Sequence, residues 1–136
     1  DDGVTSMHDA TEGGVIGGLL EVADASGVGL RIDLAKIPVR PEVRAVCEHT
    51  GMDPYVAISE GTLIATVVPG RADAFLAALG VAGIDAAAVG EVTERSDGRV
   101  LVTDEGERMV EHPGLDPFWG AFGAWAAEAA GIARSG

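Results

Sequence analysis

Apolar residues recur along this chain with two different periods, and the switch between them lays out its elements. Val15, Ile16, Leu19, Leu20 and Ala23 share one stripe at helical spacing, with Glu21 and Asp24 off it, so a helix is predicted here and Gly27 stops it. Ahead of it, Gly3-Val4-Thr5-Ser6-Met7-His8-Asp9 is short and partly β-prone. Over residues 28–34 apolar side chains fall at every second position, the period of a strand with one polar face. Pro41 suits the first turn of a helix carrying Val43, Val46 and Cys47 on one side and ending at Gly51.

Residues 62–68 are apolar on both faces and rich in β-branched side chains, which predicts a central strand covered by helices on both sides. Pro69-Gly70 opens a helix with Ala72, Phe75, Leu76 and Leu79 on one face, closed by Gly80 and Gly83. Residues 88–94 and 99–104 read as a hairpin turning through Ser96-Asp97-Gly98, residues 107–111 as a short further strand, and Asp116-Pro117 as the start of a last helix reaching about Ala133. The order β-α-β-α-β-α-β-β-α predicts the α+β class, a mixed sheet flanked by helices, in a single domain over 1–136 without internal repeats.

Composition sharpens this picture. With 47% hydrophobic but only 4% aromatic residues, the core rests on Ala, Val, Leu and Ile. A formal charge of −13 repels nucleic-acid phosphates and anionic lipid, so neither nucleic acid nor membrane is an expected partner. Lys36 is the single lysine, and Asn and Gln are absent; a high-salt cytoplasm or a GC-rich genome would each produce that bias. One cysteine, Cys47, forms no intrachain disulfide, and on its helix stripe it reads as a small buried hydrophobe rather than a nucleophile. No apolar stretch approaches the roughly 20 residues of a membrane span and no signal peptide opens the chain, so a cytoplasmic location is expected. An opening at Asp1 without Met suggests an excised segment.

The densest chemistry lies in Met7-His8-Asp9-Ala10-Thr11-Glu12-Gly13-Gly14. Amides at a helix start favour an anion, paired glycines let backbone approach it, and Asp9 or Glu12 could hold Mg²⁺. Equally, Thr11 or Asp9 could simply cap the helix while Gly13, Gly14, Gly17 and Gly18 allow tight packing. Neither a Walker A loop nor a G-x-G-x-x-G spacing is present. His8 could act as a general acid or base beside a transferring phosphoryl group, or be structural. Glu60 could serve the site or be a solvated loop group. Phe118, Phe122 and Trp125 fall on one face of the last helix, with Trp119 beside them, as core packing or as a contact surface.

The stretch from Met7 to Gly14 resembles the M-H-D-[PA]-T-[RE]-G-G segment opening the C-terminal domain of AIR synthase-related and HypE-like proteins of the PurM-like superfamily. The likeness continues through Ala25-Ser26-Gly27-Val28-Gly29, Lys36-Ile37-Pro38-Val39, Ser59-Glu60-Gly61-Thr62-Leu63 and Val89-Gly90-Glu91-Val92, in family order over roughly two-thirds of the chain. It implies a PurM C-terminal domain-like fold in three α/β/α layers. It also implies an N-terminal ATP-binding domain outside this sequence that dimerises and supplies most ATP and Mg²⁺ contacts. Substrate and phosphates would occupy the cleft between the domains, with Asp9 and Thr11 lining it, Gly13 and Gly14 offering N–H groups and Glu60 reaching in from a neighbouring loop.

Two departures stand out. HypE-like members often carry Arg where this chain has Glu12, which puts phosphate contact there in doubt unless a metal intervenes. The HypE tail ends in a Cys that receives a carbamoyl group, whereas this sequence closes with Ile132-Ala133-Arg134-Ser135-Gly136, which argues against thiocyanate chemistry. The expected function is the substrate-side half of an ATP-dependent enzyme that phosphorylates an amide or carbonyl oxygen of a small molecule; the alternative is a non-catalytic binding or dimerisation module.

Overall fold

Glycines with positive φ punctuate the chain where the sequence places its turns, at Gly27 and Gly51 among others. The computed structural model describes residues 3–112 and 116–134. Its elements are β1 (Val4–Ala10), α1 (Gly14–Ser26), β2 (Gly29–Asp33), α2 (Pro41–Thr50), β3 (Thr62–Val67), α3 (Ala72–Val81), β4 (Gly90–Thr93), β5 (Arg99–Thr103), β6 (Gly106–Met109) and α4 (Pro117–Arg134), with 3₁₀ turns at Leu34–Lys36 and Arg95–Asp97. The α+β class with a mixed sheet flanked by helices is what the structure shows. No helix among the described residues is long and apolar enough to cross a membrane.

The strands form two sheets: an antiparallel ribbon of β1 and β3, and a four-stranded sheet in the order β4-β2-β5-β6. Among the described strands only the β2–β5 pair is parallel. The core forms where α1 lays Ile16, Leu19, Leu20 and Ala23 over Leu30, Ile32 and Leu101 of the larger sheet, with Ile37 beside them. Each buried Leu or Ile among them contributes about 1.5–3 kcal/mol. On its other side α1 meets the ribbon. A Cβ at Gly18 would lie 2.8 Å from the Ile64 Cδ1 and 3.2 Å from the Ala10 Cβ, so glycine there lets helix and ribbon touch.

Two expectations fail, each for a local reason. Residues 62–68 do not make a central strand: β3 has β1 as its one strand neighbour, Leu63 is 64% exposed, and α3, the anticipated cover, has no buried residue. The apolar run reflects one face packed on α1 and one face open. Nor do residues 88–94 and 99–104 pair as a hairpin, because β2 inserts between β4 and β5. The connecting loop straddles the start of β2, where the Leu30 N–H donates to the Gly98 carbonyl at 3.0 Å. Only glycine fits beneath it, since a Cβ at Gly29 would collide with the carbonyls of Glu94 and Gly98. Of the aromatic residues of α4, read either as core packing or as a contact surface, three are too exposed for the core. Trp119, Phe122 and Trp125 are 44%, 51% and 39% exposed, and Phe118 stacks on Phe122 with centroids 5.7 Å apart.

Candidate functional site

Strand alternation divides the richest motif between two faces. On β1 the half-buried His8 looks toward α1, where its Nε2 donates to Glu21 Oε2 at 2.6 Å, and His112 Nε2 lies 3.9 Å from the other oxygen of the same carboxylate. Asp9, the next residue, is exposed on the opposite face, beside Leu63 of β3. Adjacent strand residues point apart, so His8 and Asp9 do not converge on one reacting atom.

The ribbon does bring Asp9, Thr11 and Glu60 to one end. Ala10 pairs with Thr62, the Thr11 carbonyl accepts from Ser59 N–H at 3.0 Å, and the Ser59 and Thr62 hydroxyls hydrogen-bond at 2.7 Å. Asp9, Thr11, Glu12 and Glu60 are all exposed there. Two carboxylates are enough to help hold Mg²⁺, which keeps several waters and leans on substrate phosphates. Among the described residues no group of three or more His, Cys, Asp or Glu gathers as a metal site.

The start of α1 has a different character. Gly13 and Gly14 both adopt positive φ, and a Cβ at Gly14 would come 2.6 Å from the Ala57 carbonyl and 2.7 Å from that of Tyr55. The doublet thus seats α1 against the 55–57 loop. Its amides are engaged: Gly14 N–H donates to Thr11 O at 3.1 Å and Ile16 N–H to Tyr55 O at 3.0 Å. Gly13 N–H donates to Asp116 Oδ2 at 2.6 Å, while Asp116 Oδ1 accepts from Phe118 N–H at 2.8 Å. Asp116 is 2% exposed. A negative group therefore does sit at the α1 N-terminus, and the chain itself supplies it. No side chain at the helix entrance caps α1, so the capping role weighed for Asp9 and Thr11 falls to Asp116. Sequence reasoning read Asp116 as a helix start; its reach to Gly13 carries no local signal.

The ribbon end thus leaves its carboxylates and the Thr11 hydroxyl open to solvent, whereas an anion arriving at the Gly13 amide would have to compete with Asp116 for it. Cys47 is buried on α2, and burial, with the nearby Asp53 charge adding to it, pushes its thiol up and away from the reactive thiolate.

Comparison with known proteins points in one direction. The family described as AIR synthase related protein, C-terminal domain, matches residues 1–103. Carbamoyl dehydratase HypE of Rhizobium leguminosarum bv. viciae is 48% identical over 88 residues, covering 63% of this chain and 25% of that protein. The crystal structure of E. coli HypE, a hydrogenase maturation protein, superposes with a TM-score of 0.74 at 41% identity, covering 85% of this chain and 37% of that one. A hydrogenase maturation protein HypE crystallised in complex with ATP superposes with a TM-score of 0.73 at 30% identity, again over 85% and 37%. The chain therefore spans between a quarter and somewhat over a third of the length of these relatives.

Proposed function

The chain belongs to the AIR synthase related family, matching its C-terminal domain, and from that premise we propose that it is the substrate-side domain of an ATP-dependent enzyme that activates an amide or carbonyl oxygen by phosphoryl transfer. The relatives named carbamoyl dehydratase give the reading its chemistry. Dehydrating a carbamoyl group expels its oxygen, a poor leaving group, and ATP would convert that oxygen into a phosphate ester that departs readily. The nucleotide platform and the dimer contact would belong to an N-terminal domain outside this sequence, and the substrate would be a small molecule.

The observation that carries the reading is the exposed ribbon end, where Asp9 and Thr11 from one motif meet Glu60 from another through the Thr11–Ser59 bond. There Asp9 and Glu12 would share Mg²⁺ with phosphate oxygens, Thr11 would donate its hydroxyl to them, and Glu60 would orient the substrate amide. His8, held by Glu21, would orient β1 rather than transfer a proton. In the protein that includes the ATP-binding domain, Asp9→Ala is expected to abolish ATP hydrolysis; hydrolysis at the parent rate would refute the assignment.

One observation favours a second reading, a binding module without catalysis. The Asp116 carboxylate already holds the Gly13 amide that a catalytic domain would offer to phosphate. Nucleotide-independent assembly with an unrelated partner domain would favour that alternative.

A further inference from the structure

The core face of the four-stranded sheet ends in a cation. Ile32 stands opposite Leu101, and Leu101 opposite Arg108, so the three occupy one row on one face. Ile32 and Leu101 are 4% and 2% exposed, and the row closes on the guanidinium of Arg108, exposed on the edge strand β6. On the outer face of the same strand Glu107 pairs with Arg31 at 2.6 Å; Arg108 makes no ion pair with a described residue. A charge on an edge strand can serve simply to deter edge-to-edge pairing.

Here the cation borders a hollow. A cavity of about 170 Å³ opens beside it, floored by Ile16, Leu34 and Leu101, with Asp53, Arg108 and Glu111 among the groups around it. The hollow is open to solvent on the side of its charged groups, for Asp53, Arg108 and Glu111 are all exposed, while Ile16 and Leu101 at its floor are buried. None of Asp9, Thr11 or Glu60 lines it.

The charges around the cavity select the guest. A purely anionic ligand would meet two carboxylates, and a purely cationic one would meet the guanidinium; a compact molecule bearing both charges next to an apolar body satisfies all three groups. We propose that this cavity binds a free aliphatic α-amino acid. Its carboxylate takes the planar fork of Arg108, its ammonium lies toward Asp53 and Glu111, and its side chain rests on Ile16, Leu34 and Leu101. Asp53 keeps one oxygen available for this, since it is Oδ1 that accepts the Tyr55 N–H, at 2.8 Å. The site is independent of the phosphoryl-transfer reading.

L-leucine is the probe. Titrated into the full chain at millimolar concentration, it is expected to give saturable NMR shifts at the Ile16, Leu34 and Leu101 methyls. Arg108→Ala should weaken binding by roughly tenfold or more, the worth of a charge-assisted pair. Arg108→Gln, which keeps the length of the stem, should do the same if the first variant unfolds. 4-Methylpentanoate and isopentylamine, each lacking one charge, should bind correspondingly more weakly. Absence of saturable shifts in a folded chain, equal affinity for 4-methylpentanoate, or L-leucine affinity untouched by both substitutions would each overturn the proposal.

Discussion

Asp116 joins two helix starts that lie 103 residues apart along the chain, holding Gly13 N–H of α1 with one oxygen and Phe118 N–H of α4 with the other. Removing it strands a buried amide, so Asp116→Ala is expected to destabilise the fold by about 1–3 kcal/mol, read as a lower urea midpoint. An unchanged midpoint would show the contact to be incidental. Arg31 and Glu107 form the opposite kind of pair, exposed and screened. The hydrogen bond from Arg31, and then its charge, hold the Glu107 carboxyl below the ordinary carboxylate range. A depressed folded-state value means stability present at neutral pH and lost as pH falls through that lowered value. Glu107→Gln should therefore flatten the acid limb of the stability curve slightly, and strong salt should have the same effect on the parent chain. At this scale the glycine doublet was legible as a place where backbone must come close. Asp116 was not, because nothing near residue 116 encodes what lies across the fold.

Among the elements, α1 and β2 follow directly from their periods, since each buries one face against the other. The elements hardest to read are those whose apolar residues stay exposed among the described residues. β3 reads as central because it is apolar throughout, yet Leu63 and Met7 both stand exposed on the open face of the ribbon, at 64% and 65%. In α4 the aromatic residues lean on one another and stay accessible. Trp119 and Trp125 should be quenched readily by acrylamide in the isolated chain, with an emission maximum typical of wetted indole. Blue-shifted, protected emission would mean that α4 lies against the body after all. Periodicity reports which face is apolar, not whether this chain covers it. That distinction also explains why the candidate site could be read only in part: the ribbon brings Asp9, Thr11 and Glu60 to one end, whereas His8 points away because it is Asp9's immediate neighbour on a strand.

For the whole molecule, a formal charge of −13 on 136 residues makes self-repulsion the dominant long-range term. Unfolding midpoints are expected to rise as salt increases from low ionic strength toward the molar range, where the Debye length falls to about 3 Å. A flat response would leave the acidity as a matter of codon usage alone. The architecture carries a further consequence, for synthesis. β2 is complete by residue 33, yet both of its neighbours come from residues 90–103. A nascent chain must therefore carry β2, with its apolar face, unpaired while the next fifty-seven or so residues are made, and a ribosome stalled before Gly90 would display a sticky segment with nothing to zip against. Its natural companions over that interval are chaperones, and truncations ending in the seventies or eighties should surface as inclusion bodies rather than as smaller soluble domains.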